Sequence, residues 1–391
     1  MAIDRSLQLA PAAAVDFREL ARQRLPRQLF DYIDGAAGDE ATQVANVADL
    51  ARVLLRQRVL RDVSGVSTAC TLFGEALALP LLLAPVGLGG AFAPRAEVLA
   101  ARAARAAGIR FCESTVSICS IEEVRQATQA PFWFQLYVMR DRGYARELMQ
   151  RALAAGCNTL LLTVDMPVVG LRRRDTRNGI GASLPPAATL RRLLDIVSHP
   201  RWVWQTALGG RPLLFGNLAD AVPGARNPDD FRDWVDAQFD PSVTWRDIDW
   251  VRANFPGRVV LKGILDADDA RAAVSAGADG IVVSNHGGRQ LDGVPSTVSV
   301  LPSVAAAVER RIPVLFDGGI RGGVDLVRAL ALGADACLIG RAWAWAVAGR
   351  GEAGVAQVIQ SLQREMQVAM ALAGVTGVAQ LGRDQVAACP W

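Results

Sequence analysis

The sequence is poor in several residue types that usually carry charge and chemistry. Its Lys+Arg total is 42, yet Lys262 is the only lysine. It has two histidines, His199 and His286, and three tyrosines, Tyr32, Tyr137 and Tyr144. The six cysteines (Cys70, Cys112, Cys119, Cys157, Cys337 and Cys389) are scattered and form no CxxC pair. That argues against a zinc site, leaving no metal expected, and favours a reducing compartment. No run of about eighteen apolar residues exists to span a bilayer. Met1 to Asp16 lacks the charged start and long apolar core of a secretory signal. A net charge of +3 is too small to imply a nucleic-acid partner. With 51% hydrophobic and 21% charged residues over 391 positions, the chain is globular rather than disordered.

What the sequence does have is a rhythm. Val15 to about Arg56 carries apolar residues at helical spacing (Phe17, Leu20, Leu25, Leu29, Phe30), with Asp31 to Gly38 closing the segment on glycines. Val59 to Leu79 reads as short extended pieces. From Pro80, short apolar strands alternate with helices rich in Ala, Arg and Leu. The strands fall at Leu81–Pro85, Ile109–Ser114, Phe132–Val138, Thr159–Val164, Arg258–Lys262, Gly280–Ser284, Pro313–Phe316 and Ala336–Ile339. Helix ends such as Ala107-Gly108, Ala155-Gly156, Ala276-Gly277 and Leu332-Gly333 carry a capping glycine. Continuous apolar strands alternating with helices mean a parallel sheet covered by helices. Eight such units predict an α/β fold, a (β/α)8 TIM barrel filling residues 1–391, with 1–79 as a helical and extended lead-in. A doubly wound open sheet is the alternative, and Gly87-Leu88-Gly89-Gly90 is a poor match to the glycine loop it would need.

Between about Asp175 and Val243 the rhythm stops. This insert mixes Arg191, Arg192, His199, Arg201 and Arg211 with Trp202, Trp204, Leu213, Leu214 and Phe215. Basic residues among tryptophans suit a membrane headgroup region, while a folded lid with its own small core accounts for the same composition. Both readings stand.

Barrel chemistry sits at the C-terminal strand ends. In order, those ends deliver Ala84-Pro85-Val86-Gly87, Ser114-Thr115, Gln135-Leu136-Tyr137, Thr163-Val164-Asp165 with Arg172, Lys262, Ser284-Asn285-His286 with Arg289, Asp317-Gly318-Gly319-Ile320-Arg321, and Gly340-Arg341. The lone lysine, one of the two histidines and one of the three tyrosines all fall there. A histidine titrates near neutrality and can take a proton. An arginine grips a carboxylate with paired hydrogen bonds. The glycine turn after the seventh strand and Gly-Arg after the eighth suit a phosphate.

On these residues the chain resembles the FMN-dependent L-2-hydroxy acid oxidoreductases. These include glycolate oxidase, flavocytochrome b2, bacterial L-lactate dehydrogenase and (S)-mandelate dehydrogenase. The likeness runs from Leu25-Pro26 through Trp133-Phe134-Gln135-Leu136-Tyr137 to Leu338-Ile339-Gly340-Arg341, and Ser284 to Asp292 matches the family signature without a gap. Ala84 to Leu88, Val138 to Gly143, His199-Pro200 and Gly210-Arg211-Pro212 resemble the membrane-associated bacterial L-lactate dehydrogenases in particular.

The resemblance implies FMN as cofactor and a small L-2-hydroxy acid as substrate. His286 is then the base, and Asp165 pairs with it. Arg172 and Arg289 hold the substrate carboxylate with Tyr32, and Tyr137 bonds the hydroxyl or keto oxygen. Lys262 stabilises negative charge on the reduced ring. Pro85, Val86, Gly87, Ser114, Gln135, Thr163 and Ser284 line the ring or ribityl chain. Asp317, Gly318, Gly319, Arg321, Gly340 and Arg341 bind the ribityl phosphate. Gly87, alanine in many oxidases of the family, resembles the dehydrogenases that pass electrons to a quinone or another carrier. Val86 stands where some relatives carry threonine. Val116 and Val169 replace the tryptophan and leucine of glycolate oxidases, which enlarges the pocket and leaves lactate and mandelate both open. The resemblance also implies a homo-oligomer, commonly a tetramer, without a cytochrome domain, held at the cytoplasmic face of the inner membrane. Two other classes compete: a sugar-phosphate or IMP-dehydrogenase-like barrel with the same phosphate site, and a catalytically silent barrel.

Overall fold

In the computed structural model, residues 10–180, 184–225 and 228–391 are described. Readings that touch Met1 to Leu9, at the start of the lead-in, and the remaining positions of the insert lie outside the described residues.

The eight apolar runs form eight parallel strands: β1 (Leu81–Leu83), β2 (Arg110–Ser114), β3 (Trp133–Tyr137), β4 (Thr159–Thr163), β5 (Arg258–Ile264), β6 (Gly280–Val283), β7 (Val314–Phe316) and β8 (Ala336–Ile339). Each pairs with its sequence neighbours and β8 pairs with β1, so the sheet closes into a barrel and the open-sheet alternative falls. Strand residues alternate in direction, which gives the barrel two cores. Leu82, Cys112, Trp133, Leu161, Val260, Val282 and Leu315 fill the inside. Leu81, Leu83, Phe111, Phe134, Leu160 and Leu162 face outward into the layer of helices.

β5 runs two residues beyond its expected end. Its register with β6 slips between Lys262 and Ile264, at Gly263, which has φ +117°. A bulge at a barrel rim re-aims a side chain, and here the residue beside it is Lys262. A Cβ on Gly263 would lie 2.5 Å from that of Asp165, so the bend is reserved for glycine.

The lead-in is built from α1 (Ala14–Arg24), α2 (Arg27–Asp34) and α3 (Ala41–Arg52), followed by an antiparallel hairpin of Cys70–Leu72 with Glu75–Leu77. Asp31 to Asp34 therefore belong to a helix, and the glycines after them join α2 to α3 rather than end the segment. The hairpin closes the bottom of the barrel: Leu72, Phe73 and Leu77 pack against the interior residues, with the Phe73 ring 5.8 Å from that of Trp133.

α3 is fastened to the turn after β6. Asn46 and Asn285 exchange amide hydrogen bonds of 2.8 and 2.9 Å, and Asn46 Oδ1 also accepts from Thr297 N at 3.1 Å. The Asp292 carboxylate accepts from Asp39 N and Thr42 N, which caps the start of α3.

The insert is helical where periodicity gave no sign of it. Helices cover Arg173–Arg177, Pro186–Val197 and Arg232–Gln238, and another turn starts at Pro200. The barrel rhythm resumes with the helix Arg246–Asn254. Trp202, Phe215, Leu218 and Phe231 are buried, and Trp202 Nε1 donates to Ala91 O at 2.8 Å.

Asn46 is 2% exposed, so an apolar replacement strands buried groups of Asn285 and Thr297. Asn46→Leu is expected to cost about 2–3 kcal/mol of stability. Urea unfolding checks this; an unchanged midpoint would show that the amide pair does not secure α3.

Candidate active site

The turn after β6 sets the geometry. Its first residue, His286, takes a left-handed backbone conformation with φ +57°, followed by Gly287 and Gly288, also at positive φ. His286 N and Lys262 Nζ both donate to Ser284 Oγ, at 3.1 and 3.0 Å. The His286 Nδ1 lies 3.0 and 3.2 Å from the two oxygens of Asp165. An ionised carboxylate only accepts, so Nδ1 carries the proton and Nε2 is left basic. Burial pushes the His286 pKa down, aided by the charges of Lys262 and Arg172 and opposed by Asp165, and the net shift is below the ordinary value. Asp165 moves the other way from what burial alone would give: His286 and Lys262 hold it below the usual carboxylate range. Gln290 fixes the loop that carries Asp165, because its amide donates to Asp165 O and Val168 O at 3.0 Å each.

Near this pair stand two guanidinium groups, both close to the Tyr32 ring. The Arg289 and Arg172 carbons lie 4.9 and 6.0 Å from the Tyr32 ring centre. Arg289 Nη1 donates to Tyr32 O and Gly35 O, which orients the fork and leaves its other N–H groups for a ligand. Burial, with Arg172 next to it, lowers the Arg289 pKa to about 10. Burial raises that of Tyr137 and keeps its phenol neutral, a hydrogen-bond donor. Arg174 and Arg18 converge on buried Asp34, at 2.9 and 2.5 Å, and tie the segment after Arg172 to the helix that carries Tyr32.

The opposite end is built for an anion with a polar arm. Lys262 lies 3.4 Å from Asp317; burial would lower its pKa, but Asp317 and Asp165 raise it, so the lysine is charged. Arg321 is buried 4.8 Å over the Trp345 ring, with its pKa lowered to about 10 by burial. Arg341, at the start of the C-terminal helix, donates to Gly287 O, Gly35 O and Gln43 Oε1. Burial and the nearby Arg289 and Arg321 push its pKa well down. Among the described residues two buried atoms here lack a partner, Asp317 Oδ1 and Arg341 Nε. The carboxylate oxygen suits a hydroxyl and the guanidinium N–H suits a phosphate oxygen, which together fit the ribityl phosphate arm of FMN. Gly319, at φ +89°, allows the turn: its Cβ would sit 2.1 Å from Asn46 O. Along the wall, Ser114 Oγ donates to Gln135 Oε1 and Gln135 Nε2 to Thr163 Oγ1, a polar row across β2, β3 and β4.

One cavity gathers nearly all the residues read from the sequence. Tyr32, Pro85, Val86, Gly87, Ser114, Gln135, Tyr137, Thr163, Arg172, Lys262, His286, Arg289, Asp317, Gly318, Gly319, Arg321, Gly340 and Arg341 line it. Asp165 and Ser284 stand one layer behind. For Asp165 that is the expected place. Ser284, expected against the flavin, accepts at its hydroxyl oxygen from Lys262 and the His286 N–H, and its own O–H is left to donate. Sequence reasoning missed Asn46, Gln290 and the Arg174–Asp34 pair. Gln290 alone had a signal, its place inside the 284–292 signature.

Comparison with known proteins agrees with this geometry. The chain matches a family described as FMN-dependent dehydrogenase over residues 21–388. An L-lactate dehydrogenase of Caulobacter vibrioides is 54% identical over 376 residues, covering 96% of this chain and 97% of that one. One from Stenotrophomonas maltophilia is 52% identical over 379 residues, covering 97% and 99%. Among solved structures, the monotopic membrane protein (S)-mandelate dehydrogenase aligns with a TM-score of 0.90 at 36% identity, covering 96% of this chain and 99% of that one. A family match over nearly the whole length, relatives above half identity and a barrel whose polar ends fit the cofactor lead to one conclusion: this chain belongs to the FMN-dependent dehydrogenases.

Proposed function

We propose that the protein oxidises L-lactate to pyruvate and passes the electrons to a membrane quinone. The observation that carries this is the placement of a neutral His286, paired with the ionised Asp165 behind it, beside the guanidinium groups of Arg172 and Arg289 in one cavity. Arg172 and Arg289 hold the substrate carboxylate. Tyr137 donates to the oxygen on the α-carbon. His286 Nε2 then takes a proton, and Asp165 stabilises the imidazolium that results. FMN, when bound, accepts the two electrons of the oxidation. Lys262 supplies a positive charge for it at the end of β5, with Ser284 and Asp317 fixing the ammonium. Lactate is favoured over mandelate by the names and higher identity of the relatives above. The valines at 116 and 169, which leave side-chain room, keep (S)-mandelate as the second reading.

The quinone and membrane parts of the reading rest on other features. Gly87 packs against Val116, where a Cβ would lie 2.6 Å from Val116 Cγ2, so the position excludes the alanine that many oxidases of the family carry. No helix among the described residues is long and apolar enough to cross a membrane. On the insert helix Pro186–Val197, however, Leu190, Leu193, Leu194 and Val197 share one face and are each more than half exposed, and Trp204 nearby is 75% exposed. A bare apolar face flanked by arginines suits peripheral contact with an anionic bilayer, on the cytoplasmic side. A homo-oligomer belongs to the same reading by resemblance.

Replacing His286 by Gln should leave FMN bound and slow its reduction by L-lactate about 10²–10⁴-fold, the usual worth of a general base. Because the histidine must be neutral to act and its pKa lies below 6.5, wild-type kcat/KM should hold down to that pH and fall only in more acid solution. Stopped-flow reduction at the wild-type rate, or an acid limb centred above that value, would sink the assignment. A second expectation concerns the membrane. The intact protein should pellet with anionic vesicles at low salt, and a variant with Leu190, Leu193, Leu194 and Val197 changed to Ser should not. If both behave alike, the insert is a lid only.

A further inference from the structure

A second cavity, of about 350 Å³, adjoins the one described above. Tyr32, Val116, Tyr137 and Arg172 line both, so the two share a wall at the substrate clamp. This volume falls within the range of about 300–1,000 Å³ usual for small-molecule sites. It far exceeds what the methyl group of lactate requires.

The lining of this chamber has a definite chemistry. Among the described residues, apart from Arg172 on the shared wall, the only charged lining residue is Asp236, which is exposed. Most of the remaining lining is aliphatic or aromatic. Its outer wall comes from the insert: Ile196, Trp202, Leu213, Phe215 and Phe239. Ile196 lies on the same helix, on the flank next to the face that presents Leu190, Leu193, Leu194 and Val197 to the surroundings. One helix thus carries an exposed apolar face and, beside it, part of the wall of an apolar chamber. The chamber ends against the groups that hold the substrate.

We infer that this chamber is where the electron acceptor binds, and that the acceptor is a quinone whose flat ring enters from the lipid side between the insert and the barrel. This rests on the proposed reading of the site as a dehydrogenase and gives that reading a location. The quinone would gain the two electrons and two protons that oxidation of the hydroxy acid releases, its two carbonyl oxygens becoming hydroxyls. The electrons would reach it by way of FMN, when bound, and the protons by way of His286 and solvent. Leu213 and Ile196 wall the chamber without touching the substrate clamp, and they set its width.

The test fills the chamber and follows each half of the reaction separately. In Leu213→Trp holoenzyme, anaerobic reduction by L-lactate should stay within about twofold of wild type, and reoxidation by ferricyanide, which needs no apolar site, should be unchanged. Reoxidation by a water-soluble short-chain quinone should fall roughly tenfold or more, the loss expected when a ring no longer fits its pocket. Ile196→Phe serves as the second variant should the first fail to fold. An azido-quinone should photolabel wild-type protein within residues 196–215. Labelling elsewhere with unchanged quinone reoxidation overturns the inference. So does a variant that loses reduction by L-mandelate but keeps quinone reoxidation, which would make the chamber a pouch for substrate side chains. If L-lactate fails to reduce even the wild-type flavin, the dehydrogenase reading fails by itself. Quinone reoxidation of chemically reduced enzyme still decides where the acceptor binds.

Discussion

Withdrawing a guanidinium from water without giving it a carboxylate is expensive, and among the described residues Arg289, Arg321 and Arg341 have no ion-pair partner where they line the cavity. Arg289, Arg321 and Arg341 are all pushed below their ordinary pKa, chiefly by burial. Much of the surrounding structure limits that cost. Backbone carbonyls of Tyr32, Gly35 and Gly287 take hydrogen bonds from Arg289 and Arg341, and the Trp345 ring lies under Arg321. Carbonyls and rings ease desolvation without cancelling the positive charge, so the cavity keeps its demand for anions. A phosphate at one end and a carboxylate at the other meet that demand. The folded protein is thereby organised for its ligands at some expense in its own stability.

The carbonyls that satisfy these arginines come mainly from the lead-in, which makes the lead-in part of the site. Tyr32 lies on α2, Gly35 directly follows it, and Gln43 lies on α3. α3 is locked to the β6 turn through Asn46 and Asn285, and α2 to the segment after Arg172 through Asp34 and Arg174. A barrel alone would present strand ends. The added helices turn those ends into a closed pocket, with His286 held in a left-handed backbone conformation that few residues other than glycine adopt.

The barrel was legible because its strands are near-continuous apolar runs, mostly buried on both faces, and several of the helices between them end in glycine. The gathering of Lys262, His286 and Tyr137 in one cavity was legible because lysine, histidine and tyrosine are scarce here and these three sit at or just past strand ends. Other features had no local trace. Asn46 and Asn285 are ordinary amides 239 positions apart, and only the folded chain makes them partners. Position alone did not show that the Ser284 hydroxyl accepts from Lys262. The insert's helices were hidden because their apolar residues face outward as well as inward, which blurs the usual pattern.

In the proposed reading carboxylate, hydroxyl oxygen and base are held by separate elements, an arrangement that would fix the handedness of the substrate. The most direct test is to add L-lactate, then D-lactate, anaerobically to separate samples of the purified holoenzyme and follow the visible flavin absorption. The account predicts bleaching with the L form and none with the D form. A flavin left oxidised by L-lactate and by other L-2-hydroxy acids, or bleached equally by both forms, would contradict it.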